Sequence, residues 1–437
     1  MADSAQEVFR DHPLRHVIND EIHAPPYEVV RAPTQVSHVG MHSGRDGAEQ
    51  DRQAVADLCE RFGLTPPEPG DRHLSMDFGP FRLKWERRTE ASTYTFFVEE
   101  EFREPFAQTA LEKVPQNWLA ELPGERLIGV HLAFEPVGAR RRSISELVAL
   151  FDNHTVVGSY IAGGSARVCT DFRVHDDGFS RILLRDLRLG ERQAGRAVQR
   201  MLEIETYRMM AMLAFPLARE LTPQLTEIED TLGRITGDLA GETTSNERAL
   251  LDSLTEQSAY LERMVNQSDY RFKAAQAYYA LVERRIDELR EERIQGLQTI
   301  AEFIERRMDP AIRTCEAVAD RQRSLSERIS RASDLLRTRV DVALEAQNRD
   351  LLESMNRRAQ LQFRLQETVE GLSVAAVSYY LMGLVSYLLV AAQEAGYLRH
   401  VEFTQAALVP VVVFTIWLII RVVRNRLARR LPGGSGS

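Results

Sequence analysis

The chain has 437 residues and a formal net charge of −9, with 55 Lys and Arg against 64 Asp and Glu. This length allows two or three domains of roughly 150 residues each, and the acidic balance argues against a nucleic-acid binder, which carries a basic surface. The cysteines Cys59, Cys169 and Cys315 are few and far apart. We therefore expect reduced thiols in a reducing compartment and no thiolate zinc site.

The N-terminal stretch MADSAQEVFRDHPLRH lacks a basic start followed by an apolar run, so it does not predict a secretory signal. Polar groups are dense at the end of this stretch and just after it, at His12, His16, Asp20, Glu21 and His23. His12 and His16 would share one face of a helix. A metal site needs several such ligands together, but no known spacing such as HExxH occurs. Capping or interdomain contacts are the favoured interpretation, and a metal or catalytic site is the alternative.

Residues 1–189 mix strand and helix patterns, which predicts a cytoplasmic α+β domain. Predicted strands are 34–42, 73–88, 92–100 and 127–136, with two or three more between 154 and 190; predicted helices are 49–62, 117–121 and 143–151. The last helix is expected to begin with a capping box formed by Ser143 and Glu146.

Sequence motifs for catalysis are missing from this domain. The turn Ala162-Gly163-Gly164-Ser165 predicts a β-turn, because the chain contains no GxxxxGK[ST] phosphate loop. We find no GxSxG elbow and no recognisable pairing of a nucleophile with a base. The sequence therefore predicts neither an enzyme nor a cofactor.

Residues 190–370 are rich in helix formers and predict a long helical or coiled-coil stalk. The expected helices are 191–215, 222–239, 246–307 and one that begins near Pro310 and runs into the following apolar segment. A seam from Leu336 to Leu372 in the last helix has a mean step close to 3.6 residues. Its polar members are Gln347, Arg358 and Gln362. Ordinary helix packing is the favoured explanation, and the alternative is a wet axis or register-setting contacts in a homo-oligomer.

Two uncharged segments near the C-terminus, 371–392 and 403–420, are long enough to be transmembrane helices. Arginines flank them in the stalk and in the basic tail at 421–432, whereas the loop 393–402 has only Arg399. The positive-inside rule then places both termini and the large N-terminal region in the cytoplasm. The final residues, 433–437, have the composition of a flexible linker.

The first apolar segment carries Ser378, Met382 and Ser386 on one face. Close packing of helices in the membrane is the favoured interpretation of that face, and a water-lined pore is the alternative. In a ring of subunits, Glu394 and Glu402 of the loop would form an outer acidic ring that favours cations.

Three stretches carry a family resemblance: HPLRHVINDEIHAPPYEVVRAPTQVSHVGM, the stalk segment beginning REERIQGLQTIAEFIERRMDP, and LQETVEGLSVAAVSYYLMGLVSYL. With them the chain resembles a bacterial family of membrane-anchored proteins known only as a domain of unknown function. That family usually has Arg where Pro25 stands. The resemblance covers nearly the whole chain and implies an anchor in the bacterial inner membrane, but no activity.

The order of segments is also similar to that of CorA-type divalent-cation channels. Their Gly-Met-Asn motif is missing, and Ala395-Gly396-Tyr397 does not replace it. The leading hypothesis is an oligomeric inner-membrane protein that conducts or transports cations and contacts membrane lipid. The alternative is a non-conducting membrane-tethered scaffold for partner binding.

Overall fold

A computed structural model describes residues 12–15, 27–240, 247–394 and 401–428 of the protein. The chain divides into two compact units, Met1–Ser333 and Asp334–Ser437. The N-terminal unit contains a β-sheet and several helices, and the C-terminal unit is helical where it is described.

The strands of the described residues all lie in the N-terminal unit. They are β1 (Thr34–His42), β2 (His73–Asp77), β3 (Arg82–Arg87), β4 (Ser92–Val98), β5 (Glu125–Glu135), β6 (Val157–Ile161), β7 (Ala166–Thr170), β8 (Ser180–Asp186) and β9 (Glu292–Arg293). They form one sheet in the order β2-β3-β4-β1-β5-β8-β7-β6-β9. The pairs are antiparallel except β5 with β8, which is parallel. The predicted mixture of strands and helices is thus confirmed as an α/β sheet domain.

The α-helices of eight or more residues that the structure describes are α1 (Ala48–Arg61), α4 (Glu191–Met212), α5 (Ala214–Ala240), α6 (Glu247–Leu289), α7 (Ile300–Glu394) and α8 (Val401–Ala428). Two shorter ones are α2 (Gln116–Ala120) and α3 (Ile144–Leu150). The predicted capping box of α3 is confirmed, because the Glu146 backbone N–H donates to Ser143 Oγ and the Ser143 backbone N–H donates to the Glu146 carboxylate.

Strand β4 lies at the centre of the packing and is buried along its whole length. On one face Tyr94 and Phe96 make edge contacts with the ring of Trp118, at centroid distances of 5.9 and 6.3 Å. On the other face Thr95 points towards α4. Burying one such aromatic side chain contributes roughly 1.5–3 kcal/mol to stability. Strand β4 therefore packs firmly against the layer that contains Trp118. Helix α4 also approaches the chain closely at Gly195, where an added Cβ would lie 1.7 Å from the Glu28 carbonyl oxygen.

The predicted helix boundaries were wrong between residues 289 and 310. Helix α6 ends at Leu289 instead of near 307, and α7 begins at Ile300 with Pro310 inside it. The short strand β9 lies between them and pairs with β6 at the edge of the sheet. The segment consists mostly of helix formers, and Gly296, with φ of +87°, is its one local breaker. Pairing with the sheet edge therefore overrides the helical propensity.

The first part of α7 packs on neighbouring helices of the N-terminal unit. Its buried positions recur at steps of three and four: Ile304, Met308, Ala311, Cys315, Val318, Gln322, Leu325, Ile329 and Ala332. Within this seam Gln322 Nε2 donates to Ser268 Oγ of α6 at 3.0 Å. Arg321 donates to Glu229 of α5 at 2.6 Å. Cys315 is a free, buried thiol like Cys59 and Cys169.

The C-terminal unit contains the rest of α7 and the described part of α8. Every α7 residue from 341 to 369 is exposed, so no described helix covers the predicted seam there. Farther on, α7 and α8 each contain a stretch long and apolar enough to cross a membrane. Only 6% of that stretch in α7 and 11% in α8 is buried, whereas a core helix of a soluble protein would be mostly buried.

Candidate metal centre

Two loops next to α3 bring His154, Asp171 and His175 together. His154 Nδ1 lies 2.7 Å from Asp171 Oδ2, and His175 Nε2 lies 3.0 Å from the same oxygen. The three ligand atoms all lie within 4.8 Å of one another. Two imidazole nitrogens and one carboxylate oxygen thus converge on one small volume.

Local backbone geometry positions these side chains. His154 follows Asp152 and Asn153, which both have positive φ and turn the chain sharply after α3. Asp171 comes directly after β7, and its Oδ1 accepts a hydrogen bond from the Arg173 backbone N–H at 3.2 Å. His175 belongs to the tight turn before β8, where its backbone N–H donates to the Phe179 carbonyl at 3.0 Å.

The site is buried on one side and exposed to solvent on the other. The side chains of Asp171 and His175 are 0% and 1% exposed, whereas that of His154 is 29% exposed. His175 Nε2 is buried and makes no hydrogen bond among the described residues. It lies 3.0 Å from Asp171 Oδ2, which is an ion-pair distance without hydrogen-bond alignment. A buried ring nitrogen without a hydrogen bond needs some other partner.

A second carboxylate, that of Asp152, contacts the other ring nitrogen of His175. His175 Nδ1 lies 2.6 Å from Asp152 Oδ2, and Arg181 Nη1 lies 3.2 Å from that oxygen. The hydrogen bond from His175 lowers the pKa of Asp152, burial opposes this shift, and the charge of Arg181 lowers the pKa further. The carboxylate fixes the ring so that Nε2 faces Asp171 and His154.

This donor set fits a divalent transition-metal ion. Two histidines and one carboxylate bind Zn²⁺ in hydrolase sites and Fe²⁺ in facial triads, and three protein ligands leave a position open. A carboxylate behind a ligating histidine is the usual supporting contact of such sites. Tetrahedral ligands at about 2.0–2.1 Å from a metal lie about 3.3 Å apart, so metal binding requires Asp171 Oδ2 to draw back from the two ring nitrogens, which now lie at 2.7 and 3.0 Å.

The family described as "Protein of unknown function (DUF3422)" matches residues 10–427. The chain belongs to this family. No curated protein and no solved structure matches it. The CorA-type layout therefore has no support from these comparisons and rests on the order of segments alone.

In this DUF3422 chain the predicted candidates for metal ligands lie elsewhere, near the N-terminus. Of the N-terminal cluster only His12 lies within the described residues, and its Nδ1 accepts the Leu14 backbone N–H at 3.2 Å. The other members of that cluster and the departure from the family pattern lie outside them: His16, Asp20, Glu21, His23 and Pro25. The signal that the sequence offered for the new site was an Asp-x-His spacing at 152–154 and an Asp-x₃-His spacing at 171–175.

The predicted membrane and stalk residues all lie on helices of the C-terminal unit and do not come together in one site. Ser386 is hydrogen-bonded to Gln405 of α8. Ser378 is 5% exposed, and its Oγ makes no hydrogen bond among the described residues. Met382 lies between them and is half-buried. The remaining predicted residues are exposed on the surface of α7 or α8: Gln347, Arg358, Gln362, Glu394 and Glu402.

Proposed function

We propose that this protein is a membrane-anchored metalloprotein whose N-terminal unit binds a divalent transition-metal ion through His154, Asp171 and His175. The observation that carries the proposal is the buried Nε2 of His175, which forms no hydrogen bond among the described residues and converges with the two other ligand atoms. Asp152 supports the assignment because it occupies the place of the carboxylate that orients a ligating histidine.

The competing explanation is a purely structural network. Without an ion, the same residues would form a chain of carboxylate and imidazole contacts that ties the loop after α3 to the turn before β8. That explanation accounts for the contacts of His154 with Asp171 and of His175 with Asp152. It leaves His175 Nε2 at 3.0 Å from Asp171 Oδ2 without a hydrogen bond, and a metal ion between these two atoms would bind both.

Membrane anchoring is supported by the apolar surface of the C-terminal helices. Large side chains such as Tyr379, Leu388 and Phe403 are 78%, 71% and 82% exposed. Soluble proteins rarely expose a large contiguous apolar surface of this kind to water. The arginine distribution favours a hairpin with both ends in the cytoplasm of a bacterial inner membrane. On this proposal the metal site faces the cytoplasm.

The cation channel stays a prediction, and the tethering alternative is better supported. The hydrogen bond between Ser386 and Gln405 turns the polar face of the first segment towards the second one, which is what close helix packing requires. A homo-oligomer also stays a prediction. Its support is the exposed seam, in which Leu351, Leu365 and Val369 are 62%, 65% and 62% exposed.

Metal titration of the full chain in detergent tests the proposal. After treatment with a chelator, Co²⁺ should bind at one ion per chain and give the visible absorption of a four-coordinate site. His154→Ala, at a partly exposed position, should abolish this signal, and His175→Ala should do the same. His73→Ala is the matched control, because His73 is an exposed histidine on β2. Binding by His154→Ala equal to that of the wild type would refute the proposed ligands.

A further inference from the structure

One row of charged side chains runs across the buried part of the sheet. Glu135 on β5 pairs in register with Arg185 on β8, and Arg185 pairs in register with Arg167 on β7. Residues directly opposite one another on neighbouring strands share a face of the sheet. Arg142, just before α3, reaches the same place, with Nη1 at 2.5 Å from Glu135 Oε1.

The charges in this row do not balance. Glu135 is 4% exposed and Arg185 is 7% exposed, so both are effectively removed from water. Three guanidinium groups face one carboxylate, and the like charges of Arg167 and Arg185 lie directly opposite each other, which destabilises a sheet. Glu146, next to this row, pairs with Arg140 at the surface, and Glu101 and Glu104 line the neighbouring open pocket together with Arg103 and Arg140. Burial lowers the pKa of Arg185, and Arg142 and Arg167 lower it further against the effect of Glu135.

Several polar atoms of these side chains also lack a hydrogen-bond partner. Arg185 Nη2, Arg167 Nε and Glu135 Oε2 are buried and make no hydrogen bond among the described residues. They border a cavity of about 10 Å³ whose apolar walls are Leu147, Cys169 and Leu183. A space of that size holds one atom as large as a water molecule.

A single water molecule would satisfy the donors but not the charge. An excess of buried positive charge destabilises the fold, and a bound anion offsets that excess. Next to the cavity is an open pocket of about 620 Å³ that Glu135 and Arg142 also line. A larger molecule could lie in that pocket and place one of its oxygens between the arginines.

We propose that Arg142, Arg167 and Arg185 form a binding site for one anionic atom, supplied either by chloride or by an oxygen of a phosphate group. This site lies at the opposite end of α3 from the candidate metal centre and does not depend on it. The occupant contributes the second negative charge that the row lacks. It accepts hydrogen bonds from Arg185 Nη2 and Arg167 Nε. Chloride leaves Glu135 Oε2 without a donor, whereas a hydrogen phosphate can donate its O–H to that oxygen.

Thermal unfolding of the full chain in detergent tests the site. The protein is compared in sodium gluconate, sodium chloride and sodium phosphate at equal ionic strength. An anion that binds the folded state raises the folded-to-unfolded ratio about 100-fold when its concentration is 100 times Kd. The melting temperature should therefore rise with the logarithm of chloride or phosphate concentration and not with gluconate. A rise with chloride identifies a halide site, and a rise with phosphate alone identifies an oxyanion that uses the open pocket.

Two variants separate binding from general salt effects. Arg167→Gln removes one of the opposed cations at a half-buried position and should abolish the dependence on the anion. Arg140→Gln, at a side chain that is 77% exposed, should keep it. Since Arg167→Gln also relieves the repulsion from Arg185, its stability in gluconate should equal or exceed that of the wild type. Equal melting temperatures of the wild type in all three salts, or the same anion dependence in Arg167→Gln, would overturn the proposal.

Discussion

Replacing His38 with Gln should make the N-terminal unit less sensitive to acid. His38 lies on β1 and is 3% exposed. Its Nδ1 is 2.7 Å from Thr95 Oγ1 and its Nε2 is 3.0 Å from Thr206 Oγ1, so the ring links the sheet to α4. Burial lowers the pKa of His38 to about 3, and the charges of Arg88 and Lys84 lower it further.

The sign and the size of the effect follow from this pKa. The folded state takes up the proton only near pH 3, whereas the unfolded chain takes it up near pH 6.5. Below pH 6.5 the unfolded state therefore binds more protons, and stability falls as the pH falls. With these two values, His38 alone removes about 2 kcal/mol of stability between pH 7 and pH 5.

Urea unfolding at pH 7 and pH 5 measures this loss in the full chain. Of the three tryptophans, Trp85 and Trp118 lie in the core of the N-terminal unit, and a Trp417→Phe background restricts the fluorescence signal to them. The packing cost of Gln is present at both pH values and cancels in the comparison. Burial lowers the pKa of His131 to about 4, and this contribution is common to both proteins. If the variant loses as much stability as the parent between pH 7 and pH 5, the reasoning is wrong.

Three further predictions concern the metal centre and the membrane segments. Asp152→Asn should weaken Co²⁺ binding about 10–100-fold while leaving one ion per chain, and unchanged affinity would show that Asp152 does not orient His175. A cysteine at Tyr397 should react with an impermeant thiol reagent from the outside of intact cells and one at Arg429 should not; the reverse pattern would invert the topology. If the protein conducts, Glu394→Gln with Glu402→Gln should lower cation flux into liposomes without changing assembly, and a wild type that passes no cation favours the tether.

Local patterns in the sequence were enough to place much of the sheet. The alternation in β1, the aromatic run of β4 and the Ser143 capping box each act within a few residues, so they are visible without tertiary information. Strand β9 could not be found in this way. Glu292 and Arg293 favour helices, and only the edge of β6 makes them a strand.

The candidate sites depend on contacts that spacing does not reveal. His154 and Asp171 are 17 residues apart, and their loops meet because α3 packs on the sheet beside β7. Arg185 follows three consecutive apolar residues of β8, and its charge alone predicts an exposed position. Its burial follows from the parallel pairing of β5 with β8, which brings Glu135 opposite it.

The metal content of the full chain, purified in detergent without chelator, tests the central claim most directly. The wild type and the His73→Ala control should each retain about one transition-metal ion per chain by elemental analysis, and His154→Ala and His175→Ala should retain almost none. A wild type whose metal content equals that of His154→Ala would contradict the assignment of His154, Asp171 and His175 as a metal centre.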